Sequence, residues 1–476
     1  MRTMQWMFVI AMTAVALTCS AATTPGSAHA GIEGTWQGTL MGAMRLVVHV
    51  DRSPTGSLTG TMDSPDQGAM GLALDTLVLA GDSLRFELRR AGGSYAGRML
   101  AAGDSIVGEW RQRGMTLPLG LRHMDKAVAL RRPQEPKPPY PYAEDTVRVE
   151  NRAAGVSLGG TLTTPGGAGP FPCAVLVTGS GPEDRDETIF GHRPFMVIAD
   201  HLARHGIAAL RLDDRGVAAS SGRFSRATSE DFASDIMSAV TFLKTRPGID
   251  PQRIGLIGHS EGGLIAPMVA TRSKDVAFIV LMAGPGIPGD STMMLQSAAI
   301  RRSIGVSDAS IAEEMSVNRR MYAQLRAGDS VGVVRTMREL VGLQVAALPE
   351  QQRNAIGDID STAAAATRQM FSPWMRFFAT YDPRPTLQRV SCPVLAINGG
   401  KDLQVLPKEN LAAIETALKA GASRHYAVKE LPGLNHLFQH CTLCTLGEYM
   451  QLEETIAPVA LETMSEWILA QATAPR

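Results

Sequence analysis

Hydrophobic and polar positions change rhythm along this chain. Between residues 31 and 130 they alternate in short runs, such as Leu46-Val-Val-His-Val50, Leu84-Arg-Phe-Glu-Leu88 and Ser105-Ile-Val-Gly-Glu-Trp110. Turn clusters separate the runs: Ser53-Pro54-Thr55-Gly56, Ser64-Pro65-Asp66, Ala80-Gly81-Asp82, Ala91-Gly92-Gly93 and Ala102-Gly103-Asp104. Short strands at this spacing predict a small antiparallel sandwich or barrel. Gly34-Thr-Trp36-Gln-Gly38 and Gly108-Glu-Trp110 look alike and are expected to be an early and a late strand meeting at closure. Their tryptophans are read as core aromatics rather than a ligand platform.

A proline-rich stretch within 131–145, Arg131-Arg-Pro-Gln-Glu-Pro-Lys-Pro-Pro-Tyr-Pro-Tyr142, comes next. It predicts an extended, semi-rigid linker. From 146 to 476 strands and helices alternate. Cys173-Ala-Val-Leu-Val-Thr178 is a continuous apolar run, as expected of a strand buried on both faces. Phe195, Ile198, Ala199, Leu202 and Ala203 keep helical spacing up to Gly206, and Ile207-Ala-Ala-Leu-Arg211 is the next strand. Further strands are predicted at 253–257, 276–282, 392–397 and 426–431, with helices around 232–243, 407–420 and 456–468. This alternation predicts an α/β fold with a mostly parallel central sheet and helices on both faces. The strand pattern lapses over 287–388, where Met293, Leu295, Ile300, Ile304, Ile311, Met315, Met321 and Leu325 keep helical spacing. That segment is expected to be a helical insertion. Its methionines are read as core fillers, with an adaptable binding surface as the alternative.

Residues 1–30 are set apart from the fold. A weakly basic start, the apolar run Met7–Leu17 and the small residues of Ala28-His-Ala30 form the pattern of a cleaved signal peptide. The expectation is export to the periplasm or beyond. Lipid attachment at Cys19 is the lesser alternative, because Thr18 is a poor match for the small residue expected there. The run is too short to span a bilayer, and no later stretch has 18 uninterrupted apolar residues, so no stable membrane insertion is expected.

Composition narrows the function. With 45% apolar and 19% charged residues the chain can fill large cores. Its 46 basic residues balance its 46 acidic ones, so it has no electrostatic footprint for nucleic acid or an anionic membrane surface. Four cysteines beyond residue 30 do not make a disulfide scaffold.

The residues that carry chemistry cluster around Gly258-His259-Ser260-Glu261-Gly262-Gly263, between a strand and an apolar helix. A nucleophile on a sharp strand-to-helix turn needs small neighbours, and Gly258 and Gly262 supply them. Ser260 then projects at a helix N-terminus that favours a developing anion. A serine hydroxyl needs a base, and the base an orienting acid. Asp402, after the strand ending at 397, and His436, after the strand ending at 431, come in the expected order. Both lie at the carboxyl ends of strands, where open α/β sheets place their sites. Glu409 and His440 are the weaker substitutes. An oxyanion hole needs two backbone N–H groups. Glu261 is expected to give one, and Ser180 in Gly179-Ser180-Gly181 the other. The acidic stretch Glu183-Asp-Arg-Asp-Glu187 and the turn Asp213-Asp-Arg215 are read as a salt-bridged scaffold ahead of a substrate-binding role. His436, His440, Cys441 and Cys444 also have metal-like spacing, but a metal there would take the base from Ser260. No metal or cofactor is expected. Cys441 and Cys444 are left as a local disulfide or two free thiols.

On these motifs, with Thr178-Gly-Ser-Gly-Pro-Glu-Asp-Arg-Asp-Glu187, Arg211-Leu-Asp-Asp-Arg-Gly216, Gly400-Lys-Asp402 and Asn435-His-Leu-Phe438, the chain resembles the α/β-hydrolase superfamily. More narrowly it resembles the EstD-type bacterial carboxylesterases, exported enzymes with a β-domain ahead of the hydrolase domain. The resemblance runs from residue 146 to the end and is looser over 31–130. It implies an α/β-hydrolase with a helical cap, small-molecule ester substrates, and Ser260, Asp402 and His436 as nucleophile, acid and base. A peptidase or aminopeptidase on the same fold is the first alternative. Export argues against a thioesterase using coenzyme A. A binding protein on a dead hydrolase scaffold is the alternative from another class.

Overall fold

The computed structural model describes residues 31–473 apart from 41–43, 54–55, 65–68, 113–114, 125–130, 348–352 and 354–357. The expected signal peptide over 1–30, with Cys19, lies outside the described residues, as do Pro54, Thr55, Pro65 and Asp66 of the expected turns.

The alternating N-terminal runs become nine strands of one antiparallel sheet. They are β1 (Gly34–Leu40), β2 (Met44–Arg52), β3 (Leu58–Ser64), β4 (Ala69–Ala73), β5 (Thr76–Ala80), β6 (Ser83–Leu88), β7 (Gly93–Met99), β8 (Ser105–Gln112) and β9 (Met115–Met124). Their spatial order is β4-β3-β2-β1-β9-β8-β7-β6-β5. The two tryptophan strands do not meet. β9 lies between them, with His123 opposite Trp36 and Leu117 opposite Trp110. β8 and β9 pair from Gln112–Met115 onward, so the last strand is the one carried to β1. Leu117, Leu119 and Leu121 turn its alternate face inward. Trp36 and Trp110 are buried in one core with Phe86 and Tyr95, and the Trp36 indole donates to the Ile32 carbonyl at 2.8 Å.

The second sheet has eight strands: β10 (Tyr142–Asn151), β11 (Val156–Pro165), β12 (Phe171–Val177), β13 (Ala208–Leu212), β14 (Ile249–His259), β15 (Val276–Met282), β16 (Val394–Gly399) and β17 (Tyr426–Leu431). Their order is β10-β11-β13-β12-β14-β15-β16-β17. From β13 to β17 every neighbour is parallel, while β10 and β11 are antiparallel. The expected linker 131–145 therefore ends earlier, because 142–145 are already strand. Alternation in Tyr142-Ala-Glu-Asp-Thr-Val-Arg-Val pairs residue by residue with β11, and the Tyr142 hydroxyl donates to Asp200 at 2.9 Å.

Period-two geometry divides the apolar strands between two cores. Cys173, Val175 and Val177 face one side of the sheet, Ala174 and Leu176 the other. On the first side lie α2 (Ser229–Leu243), α3 (Gly262–Ala270) and α10 (Pro407–Ala420). On the second lie α1 (Pro194–Arg204) and α11 (Pro458–Thr473). The expected insertion is helical: α4 (Gly289–Ser303), α5 (Asp308–Ala327), α6 (Ser330–Ala346), α7 (Ile359–Met370), α8 (Pro373–Thr380) and α9 (Arg384–Arg389). It shares the first core through Val317, Met321, Leu325 and Met375, so these methionines are packing residues. Arg301 of α4 and Glu314 of α5 form a buried ion pair at 2.6 Å. Among the described residues no helix is long and apolar enough to cross a membrane.

Candidate active site

The turn from β14 into α3 is tightly constrained. Ser260 has φ 53°, a left-handed conformation that costs a non-glycine residue energy and persists only where the surroundings impose it. A side chain at Gly258 would put Cβ 2.0 Å from the Gly262 carbonyl oxygen, and one at Gly262 would lie 2.1 Å from that of Val177. Only glycine fits at either place. The Ser260 N–H donates to the Met282 carbonyl of β15 at 2.8 Å, which fixes the turn to the neighbouring strand.

Asp402 and His436 come from loops 34 residues apart and meet at 2.7 Å, Nδ1 to Oδ2. Both are buried. The other Asp402 oxygen accepts the N–H groups of Gln404 at 2.7 Å and Val405 at 2.9 Å, which fixes the carboxylate plane. Glu409 lies in the first turn of α10, and the exposed His440 pairs instead with Glu454 at 2.9 Å.

A second histidine supports the first. His259 Nε2 donates to the His436 carbonyl at 3.1 Å, and Nδ1 meets Glu187 at 3.0 Å. The same Glu187 oxygen accepts the Gly179 N–H at 2.6 Å. Burial opposes charge on the His259 ring, but Glu187 outweighs it and holds the ring's pKa above the ordinary value. Glu187 thus ties the 179–181 loop to the histidine loop. With the Gly179 N–H taken, the next one along is that of Ser180. Among the described residues neither the Ser180 nor the Glu261 N–H makes a hydrogen bond. Sequence reading missed the His259–Glu187 link, since His259 fills a variable position of its motif.

The acidic stretch acts mainly as scaffold. Arg185 forms a bidentate pair with Asp213, Arg211 pairs with Glu144 and Asp186, and Arg215 with Asp231 and Asp235. Asp214 accepts the Thr178 hydroxyl and the Glu183 N–H.

Ser180, Ser260, Glu261 and His436 line one cavity of about 150 Å³. Phe224, Met293, Trp374 and Phe378 supply much of its apolar wall, the last three from the insertion. Burial pushes the Glu261 carboxyl up to about 7, and hydrogen bonds from Ser229 and Trp374 pull against that rise. Cys441 and Cys444 form a disulfide with Cα atoms 5.0 Å apart, in the loop after His436. Bonded sulfurs are not the thiolates a metal would take.

Residues 193–440 match the family described as serine aminopeptidase, S33. Among curated proteins, esterase EstD of Thermotoga maritima is 30% identical over 281 residues, which is 59% of this chain and 58% of EstD. Thiohydrolase aneE of Aspergillus aculeatus is 37% identical over 83 residues, 17% of this chain and 26% of that protein. The matched stretch thus spans less than two thirds of either relative. Among solved structures, the Pyrococcus furiosus esterase PF2001 has a TM-score of 0.43 at 15% identity, over 73% of this chain and 98% of that one. The strand-to-helix serine turn, the mainly parallel sheet and the family match over 193–440 make this chain an α/β-hydrolase and a member of the family described as serine aminopeptidase, S33.

Proposed function

We propose that the protein is a serine hydrolase that cleaves carboxylic esters with short acyl groups through an acyl-enzyme. The observation that carries this is the 2.7 Å bond between His436 Nδ1 and Asp402, in the cavity that also holds the strained Ser260. With Nδ1 donating to Asp402, Nε2 is the nitrogen left to act as base. It takes the Ser260 hydroxyl proton as Oγ bonds to the ester carbon, and the carbonyl electron pair moves onto oxygen. The N–H groups of Glu261 and Ser180 receive that anion. The C–O bond then breaks, and the alcohol leaves with the proton from His436. Water repeats the sequence on the acyl-enzyme and restores Ser260. The cavity of about 150 Å³ suits a short acyl chain or one ring, since an engineered apolar cavity of that size binds benzene.

The peptidase alternative needs a fixed charge to hold a substrate terminus. Glu261 is committed to Ser229 and Trp374, and Glu187 to His259 and Gly179. Glu183 also reaches the cavity, but burial and then the Glu187 and Asp214 carboxylates push its pKa well above normal. An acid whose charged form burial already disfavours is a weak fixed charge for an ammonium group. Short-chain aryl esters should therefore be turned over, with aminoacyl anilides at least about 100-fold worse in kcat/KM, roughly 2.7 kcal/mol in the transition state. Comparable values on the two classes would promote the peptidase reading. Export to the periplasm or beyond belongs to the same proposal, supported by the sequence pattern of residues 1–30.

A further inference from the structure

The Glu261 side chain does something its backbone does not. It is 2% exposed, and the hydrogen-bond donors that reach it are neutral groups from two other elements. The Ser229 hydroxyl, at the start of α2, donates at 2.5 Å, and the Trp374 indole of α8 lies 2.8 Å from both carboxyl oxygens. A buried carboxyl without a cation is costly unless its hydrogen bonds are made. The Glu261 carboxyl therefore holds the indole firmly, and the indole holds α8 to the serine turn. Trp374 stacks on Phe378 at 5.2 Å and 19°, and both rings line the cavity. Behind Phe378 the backbones of α8 and α4 are in close contact, for a Cβ on Gly289 would lie 1.8 Å from the Phe378 carbonyl oxygen. The ring wall is thus braced on two sides.

We propose that Trp374 is the residue that limits the length of acyl group the site accepts, with Glu261 as its positioning residue. This rests on the ester-hydrolase reading and deepens it. The residue whose N–H is assigned to the oxyanion hole also fixes an aromatic wall of the pocket. Acyl size and carbonyl placement are thereby referred to the same point in the structure.

The test is the ratio of kcat/KM for a p-nitrophenyl ester of eight acyl carbons to that for two, an internal ratio insensitive to the fraction of protein folded. Trp374→Ala should raise it at least about 10-fold, within the 10–200-fold that pocket shape commands per methylene. Glu261→Ala should raise it in the same direction. Glu261→Gln should leave it near the wild-type value, because the amide oxygen still accepts the indole N–H. If Trp374→Ala does not fold, Trp374→Leu serves, with a smaller rise expected. An unchanged ratio in the Trp374 variant, or equal shifts in Glu261→Gln and Glu261→Ala, overturns the proposal. Failure of the underlying reading looks different: wild-type protein would then turn over neither ester. An unchanged ratio in a variant that still reacts with a fluorophosphonate at Ser260 counts against Trp374 alone.

Discussion

At the scale of single residues, the orientation of Asp402 decides which nitrogen of His436 can act as a base. One oxygen is occupied by the N–H groups of Gln404 and Val405, so in Asp402→Asn the amide oxygen must stay there and the NH2 must face Nδ1. The ring is then forced to carry its proton on Nε2, where it cannot accept one from Ser260. Turnover of a short aryl ester should fall about 10⁴-fold with the fold intact, the scale of such a tautomer error in a serine triad. The proposed triad, Ser260, Asp402 and His436, can be named from sequence because each residue sits at a strand end with a local motif around it. Glu187–His259 and Glu261–Trp374 cannot, because each joins segments 72 and 113 residues apart. Nothing near Trp374 distinguishes it from an ordinary aromatic on an apolar helix face.

Among the elements, the insertion is held by its own polar core as well as by its methionines. Arg301 and Glu314 are 2% and 4% exposed, so deleting the acid strands a buried guanidinium. Glu314→Ala should destabilise the protein by about 3–5 kcal/mol, read from the denaturant midpoint. Strands buried on both faces are the most legible elements, and 276–282 is observed as expected. A continuous apolar run of that length has few other uses. The antiparallel strands β10 and β11 are harder to see. Val147, Val149, Val156, Leu158 and Leu162 alternate with polar and small residues beside a proline-rich stretch, and that weaker pattern merges with the linker. β9 is obscured by Pro118, which sits opposite Glu109 with its ring exposed.

Across the whole molecule, the proline-rich stretch is bonded into the loops around the second sheet. The Arg132 guanidinium donates to the carbonyls of Phe190, Gly191, Met450 and Leu452. Gln134 bridges the backbone of Thr455 and Ile456. These bonds clamp the loop after the acidic stretch to the loop after His436. Arg132→Ala should lower stability by about 1–3 kcal/mol, read from thermal unfolding, because it leaves partly buried carbonyls unpaired. A chain shortened to begin at residue 140 should lose at least as much. Acid should unfold the protein through His192, which lies beneath the same loops. Burial, then the nearby Arg132 charge, lowers its pKa to about 4. The folded ring stays neutral while the unfolded one takes a proton below about 6.5, so this stabilisation is complete above 6.5. It is lost as pH falls towards 4, by roughly 3 kcal/mol. His192→Gln should flatten the melting temperature between pH 6.5 and 4, and an equally steep fall in the variant would assign the acid sensitivity elsewhere. The central claim is that Ser260 is the nucleophile of an ester hydrolase. Its most direct test is peptide mapping by mass spectrometry after inactivation with a fluorophosphonate. The account predicts one adduct per chain, on Ser260, accumulating in step with loss of ester turnover. Turnover that survives full modification of Ser260, or is lost with the adduct on another residue and Ser260 unmodified, would contradict it.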